Sequence, residues 1–176
     1  MIELKNVSFK YPGQRSLVFD DFSLTLSENN IYGLLGKNGT GKSTLLYLLS
    51  GLLRAQKGSV SFDGVESRLR RPETLREIFI VPEEFDLPKI SLEKYVKINR
   101  PFYPNFSQEV LETCLKEFEL PTNLKLNALS MGQKKKVFMS FALATGTKLL
   151  LMDEPTNGLD IPSKSMFRKV IAQNMT

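Results

Sequence analysis

Apolar and polar positions follow two different periods along the chain, and each switch between them marks a predicted element. Ile2, Leu4, Val7 and Phe9 alternate with polar residues apart from a slip at Lys5-Asn6, and Phe22, Leu24 and Leu26 alternate again after a Tyr11-Pro12-Gly13 turn. The chain is therefore expected to open with a pair of strands. Ile31-Tyr-Gly-Leu-Leu35 is a short apolar run leading into glycines, which predicts a buried strand, followed by a helix over about 42–53. A further strand over 59–62 should end at the turn pair Asp63-Gly64, and a buried strand over 77–81 is stopped by Pro82.

The pattern then changes. Pro88, Pro101, Pro104 and Pro121 separate two helical periodicities, near 91–99 and 107–118, which read as an inserted helical segment. After Leu129 a helix should run through Val137, Phe138, Phe141 and Ala142, then a buried strand over 148–153 and a last helix from about Pro162. Strands alternating with helices, in runs apolar on both faces, predict an α/β fold with a parallel sheet and helices on each side. There is no internal repeat.

Composition narrows the function classes. At 176 residues with 41% hydrophobic and 24% charged positions, one globular domain is expected, and disorder or coiled coil is excluded. The longest mostly apolar stretch, 45–53, is far short of the ~20 residues that cross a bilayer, so direct membrane insertion is not expected. Charges alternate with apolar residues from Met1 to Lys5, no leader is read there, and a cytoplasmic location is expected. No histidine occurs, which excludes Ser-His-Asp and Cys-His catalysis. The single cysteine, Cys114, falls with Val110 and Phe118 on one helix face beside Leu111 and Leu115, and reads as packing. The net charge of +5 suits an anionic partner without saying which.

Gly36-Lys-Asn-Gly-Thr-Gly41-Lys42-Ser43 matches G-x-x-x-x-G-K-[ST] after a predicted strand and at the start of a predicted helix. Its glycines let backbone N–H groups turn inward, and the helix N-terminus adds its positive dipole, which together cradle phosphate. Lys42 would reach the β- and γ-phosphates, Ser43 would ligate Mg²⁺, and Thr40 and Thr44 would support the γ- and α-phosphate sides. The nucleotide-contacting set is thus Gly36, Asn38, Gly39, Thr40, Gly41, Lys42, Ser43 and Thr44. ATPases, GTPases and kinases all remain open at this point, although no N-K-x-D guanine-reading tetrapeptide is present.

Leu149-Leu-Leu-Met-Asp153-Glu154-Pro155 places two acids at the carboxyl end of a buried strand, where ligands bind in open α/β sheets. Asp153 would hold Mg²⁺ through water, and Glu154, pointing elsewhere because side chains alternate, would activate the attacking water. Leu129-Ser130-Met-Gly132-Gln133 has two readings. One is a Ser-x-x-Gln capping box, and the other is a second anion-binding helix terminus formed by Ser130 and the amide of Gly132.

These three motifs, in this order and spacing from one end of the chain to the other, resemble the nucleotide-binding domain of an ATP-binding cassette (ABC) protein. The resemblance implies a P-loop fold of the ABC ATPase type: a mostly parallel sheet flanked by helices, an N-terminal antiparallel β region and a small inserted helical subdomain. It divides the single domain into a core (1–82 and 146–176) and a helical insertion with the signature helix (83–145). By the same resemblance ATP and Mg²⁺ are the cofactors, and two domains close head to tail on two ATP molecules. Ser130, Gly132 and Gln133 would then contact the γ-phosphate held by the opposite loop, Asp160 would lie in a segment crossing between sites, and Tyr11 would stack on adenine, its alternative being a turn tyrosine. Phe102-Tyr-Pro-Asn-Phe106 and the compact insertion are similar to ATP-binding subunits of drug and antimicrobial-peptide exporters.

The implied function is the ATP-hydrolysing subunit of a membrane transporter, an exporter, held at the cytoplasmic membrane face by a transmembrane permease partner. Two rivals stay open: a soluble ABC ATPase acting on a protein assembly or nucleic acid, and a nucleotide-gated interaction module. Nucleic acid is not the expected partner, since Lys134-Lys-Lys136 reads as a solvated face. Departures from the family pattern also set expectations. Glu83 stands where the family has glutamine; as a carboxylate it remains a candidate metal ligand, and it joins Glu154 and Lys42 as a candidate catalytic residue. Met131 replaces a usual small residue. The family's final strands and γ-phosphate histidine are not found in the sequence, so a fragment with weak or no turnover is expected.

Overall fold

The computed structural model describes residues 1–174, which form two compact units, Met1–Leu75 and Arg76 onward. In the first unit, β1 (Ile2–Phe9) pairs antiparallel with β2 (Phe19–Leu26). After α1 (Lys42–Leu49), β3 (Lys57–Phe62) pairs antiparallel with β1, and the short β4 (Val65–Glu66) closes a hairpin with β3, giving the order β2-β1-β3-β4. The slip in the β1 pattern is a bulge. Asn6 sits at φ 48°, its N–H donates to Ser23 Oγ at 2.9 Å and its side-chain amide to Asp21 Oδ1 at 2.8 Å. That extra residue returns Val7 and Phe9 to the buried face with Ile2 and Leu4, beside Val60, Phe62 and the Leu45, Leu48 and Leu49 stripe of α1.

Two expectations fail in this unit. Residues 31–35 form no strand and join neither sheet, and every residue from 27 to 40 is exposed, with Leu35 at 94%. An apolar run becomes a strand only with hydrogen-bonded neighbours, and no strand of either sheet pairs with this one. The helix expected to reach residue 53 stops at Leu49, because the amides of Gly51 and Leu52 turn back to the carbonyls of Leu48 and Tyr47 at 3.1 and 2.9 Å around a left-handed glycine. The unit ends with the short α2 (Pro72–Leu75).

In the second unit, β5 (Ile78–Val81) and β6 (Leu149–Met152) pair in parallel, with Ile78 opposite Leu149 and Val81 opposite Met152. The ladder extends by one bond past each end, Leu149 N–H to Glu77 O and Asp153 N–H to Val81 O, both 2.9 Å. The carboxyl ends of both strands therefore emerge side by side, carrying Glu83 on one and Asp153 and Glu154 on the other. Around them lie α3 (Leu92–Asn99), α4 (Gln108–Glu117), α5 (Met131–Ala144) and α6 (Ile161–Asn174), close to the ranges the periodicity predicts. Ser91, Ser107 and Ser130 cap α3, α4 and α5 through bonds from the amides of Lys94, Val110 and Gln133. Phe141 of α5 gathers the aromatic core, with Tyr95, Phe106 and Phe79 rings at 5.1, 5.4 and 5.9 Å. Cys114 is fully buried with Leu111, Leu115 and Phe118.

Candidate functional site

The candidate residues fall into two groups, one on each unit. On the first, Gly41 is the N-cap of α1 at φ 97°, ψ 15°, a conformation that side chains with a Cβ avoid. A Cβ there would also meet Val18 Cγ1 at 2.6 Å and Phe19 Cζ at 3.1 Å, so β2 and the turn before it seat the start of the helix directly against the loop. The Leu45 amide bonds the Gly41 carbonyl at 2.8 Å and opens the helical ladder. Lys42 Nζ folds back and donates to the carbonyls of Gly36 and Lys37 at 2.9 and 3.3 Å, while Thr40 Oγ1 donates to Lys37 O at 2.8 Å.

An ammonium resting on two loop carbonyls, at a helix N-terminus with no acidic residue in its first turn, is a ready anion receptor. Phosphate oxygens are stronger acceptors than neutral carbonyls and offer Lys42 a charge-assisted alternative. Asn38 and Gly39 are exposed at the loop tip, Ser43 is half-buried and Thr44 is buried. The tyrosine is more integrated than its turn position suggests. Tyr11 Oη and Thr44 Oγ1 share a 3.0 Å hydrogen bond, and Phe9 packs edge-on to the Tyr11 ring at 5.1 Å. No motif signals that contact.

On the second unit, Asp153 is buried while Glu154 is exposed, as alternation along the strand predicts. Glu154 occupies the left-handed region at φ 43°. Its carbonyl accepts the Asn157 N–H at 3.0 Å, closing a turn. Asn157 Nδ2 donates to Glu83 Oε1 at 2.7 Å, and Lys135 Nζ donates to the Asn157 carbonyl at 2.7 Å. Glu83 and the loop after Asp153 are thus joined directly, an arrangement that sequence reasoning does not reach. The lysine run differs from its expected solvated face: Lys134 keeps only 19% side-chain exposure near Asp86, and Lys135 is bound to the loop.

Ser130 and Gln133 form a reciprocal capping box. Ser130 Oγ accepts the Gln133 N–H at 3.3 Å, and Gln133 Oε1 accepts the Ser130 N–H at 3.0 Å. A Cβ on Gly132 would find only Leu159 Cδ2 at 3.7 Å, an ordinary contact, so packing within the chain does not demand glycine there. Met131 points outward at 57% exposure. Asp160 Oδ1 accepts the Ser163 N–H at 2.7 Å at the start of α6; the Ser163 hydrogen bonds, helped by Lys136, hold its carboxyl below the usual 3.8. Ser43 on the first unit, and Asp153 and Glu83 on the second, are each hard oxygen donors of the kind Mg²⁺ prefers.

Residues 19–157 match the family described as ABC transporter. The chain is 35% identical over 161 residues to the ABC transporter ATP-binding protein YtrB of Bacillus subtilis, covering 91% of this chain and 54% of that protein. It is 33% identical over 187 residues to the methionine import ATP-binding protein MetN of Carboxydothermus hydrogenoformans, covering 98% and 55%. With the lipopolysaccharide export system ATP-binding protein LptB of Haemophilus influenzae it shares 31% over 181 residues, covering 97% and 74%. The chain therefore spans about half the length of the first two of these relatives. Among solved structures, a dimeric post-hydrolysis state of an ATP-binding cassette bound to ADP and Pi superposes with a TM-score of 0.83 at 27% identity, over 99% of this chain and 83% of that one. With its phosphate loop, paired strand-end carboxylates and capped serine helix in this order, and with the family match spanning most of its length, the chain belongs to the ABC transporter family as an ATP-binding cassette.

Proposed function

We propose that the chain is the ATP-binding and ATP-hydrolysing subunit of an ABC transporter. The observation that carries this reading is the closed phosphate loop, in which Lys42 is held by the Gly36 and Lys37 carbonyls over a helix N-terminus opened by Gly41. Gly36, Asn38, Gly39, Thr40 and Gly41 wrap the phosphates, Lys42 binds the β- and γ-phosphate oxygens, and Thr44 supports the α-phosphate side. Tyr11 is the platform for adenine. Ser43 and Asp153 would hold Mg²⁺, with Glu83 as a further oxygen donor, and the ion would supply positive charge against the phosphate oxygens. Glu154 accepts a proton from the attacking water, and its exposed position beyond a buried Asp153 supports that division of roles.

A second copy of the chain completes the reading. Ser130, Gly132 and Gln133 meet the γ-phosphate held by the partner copy, and the segment ending at Asp160 crosses between the two sites. The room beside Gly132 supports this, because the glycine there has no packing role inside the chain. A transmembrane permease is the second partner and keeps the chain at the cytoplasmic membrane face; no described helix is long and apolar enough to cross a membrane. Export is the proposed direction, on the likeness of the segment at 102–106 to exporter subunits, whereas the names of related proteins include both import and export systems. Slow turnover by these 176 residues belongs to the proposal, since the imidazole that the family places at the γ-phosphate has no counterpart among them.

Glu154→Gln tests the reading, because the amide keeps the shape and removes the base. The variant should keep MgATP affinity in isothermal titration, lose phosphate release and shift to twice the mass in size-exclusion chromatography with MgATP. Turnover equal to the parent chain would remove Glu154 from the chemistry. Failure of Lys42→Ala to weaken MgATP binding would remove the phosphate loop.

A further inference from the structure

We infer that Asn157 is a positioning residue that sets the turn carrying Glu154, and that Glu83 and Lys135 act by clamping Asn157. The inference rests on the reading of Glu154 as the carboxylate that activates water. Three bonds from three segments converge on this one residue: its N–H closes the turn on Glu154 O at 3.0 Å, its carbonyl receives Lys135 Nζ from α5 at 2.7 Å, and its side-chain amide donates to Glu83 Oε1 beyond β5 at 2.7 Å.

Each bond to a charged partner is exposed and competes with water, so neither alone would fix a loop. Their convergence is what matters. The turn is anchored on both sides by buried residues, Asp153 before it and Leu159 after it, and the clamp holds the exposed stretch between them. Glu154 itself sits at φ 43°, a conformation that a residue with a Cβ keeps only where its surroundings over-determine it. Loosening the clamp lets Glu154 relax away from its set direction. A group that must aim at one water molecule loses rate steeply when misplaced, whereas the phosphate loop that binds ATP is untouched.

The identity of the side chain at 157 is also explained. An amide can donate to Glu83, and an aspartate of the same size would face it with a second carboxylate. Exchanging acid and amide between the two positions restores a donor opposite an acceptor. Asn157→Asp should lower kcat about tenfold or more with unchanged MgATP affinity in isothermal titration, and should speed amide hydrogen exchange across residues 154–158. Asn157→Asp combined with Glu83→Gln should recover most of the exchange protection, which reads the turn independently of any role of the Glu83 carboxylate at the metal. Lys135→Met should reproduce the loss and Lys135→Arg should retain function, since the guanidinium still reaches a carbonyl.

Parent-like exchange and turnover in Asn157→Asp would overturn the inference, as would a double variant no better protected than the single one. If Glu154→Gln still hydrolyses ATP, the proposed catalytic role falls instead, and the exchange measurements alone then decide whether the clamp orders the turn.

Discussion

Replacing Gly41 by alanine tests how the loop is seated, because the structure assigns that position two separable penalties. The first is conformational. At φ 97°, ψ 15° a residue with a Cβ pays ~1–2 kcal/mol for the left-handed backbone. The second is steric, since the new methyl would lie 2.6 Å from Val18 Cγ1 and 3.1 Å from Phe19 Cζ. Overpacking of this kind costs ~1–3 kcal/mol, and the lower half of that range applies because Val18 and Phe19 are only half-buried and able to shift. The sum is ~3 kcal/mol, which for a chain of this size unfolding together is a fall in Tm of about 6–12 °C. Gly39 supplies the control: it is also left-handed, at φ 82°, yet a Cβ there meets nothing within 4 Å. Gly39→Ala should therefore show the conformational penalty alone. Val18→Ala removes the methyl that Gly41→Ala strikes, so the added alanine should cost less in that background than in the parent. Thermal melting followed by circular dichroism reads the parent and the four variants, and titration with MgATP checks that affinity falls in the same order. Equal melting of the Gly41 and Gly39 variants, within about 1 °C, would refute the claim that β2 and its preceding turn seat the loop.

Ser130→Ala should lower stability by about 1 kcal/mol through loss of the α5 cap, a Tm change of ~2–4 °C; a parent-like melt would show that the capping box contributes nothing measurable. Tyr11→Ala should weaken ATP binding by ~1–3 kcal/mol and leave a base-lacking triphosphate unaffected, whereas equal loss for both ligands would remove the ring as the adenine platform. Burial raises the Cys114 thiol from 9.0 to about 11, with Glu117 adding to the shift. A raised folded value means that this contribution to stability is complete below pH 9 and lost as pH rises through about 11. Denaturant midpoints should fall over that window less steeply in Cys114→Ala than in the parent chain, and Cys114 should resist a thiol reagent at about pH 8 until the chain is unfolded.

Local pattern carried much of this protein. Alternation specified β1 and β2 together with the slip that becomes the Asn6 bulge, and apolar runs located β5 and β6, because each of these signals lies within a few residues of the element it predicts. Ser91, Ser107 and Ser130 marked helix starts for the same reason, since a cap bonds an amide only three positions away. The phosphate loop and the acid pair were legible because their chemistry requires particular residues at fixed spacing. What the tertiary structure alone decided involves distant partners. Residues 31–35 have a strand's composition but no neighbouring strand paired with them, and composition cannot supply one. Tyr11 and Thr44 are 33 residues apart in sequence, Lys135 and Asn157 are 22 apart, and Glu83 and Asn157 are 74 apart. None of these pairs belongs to a periodic pattern or a motif of fixed spacing, so only the chain's course through space brings a donor to its acceptor.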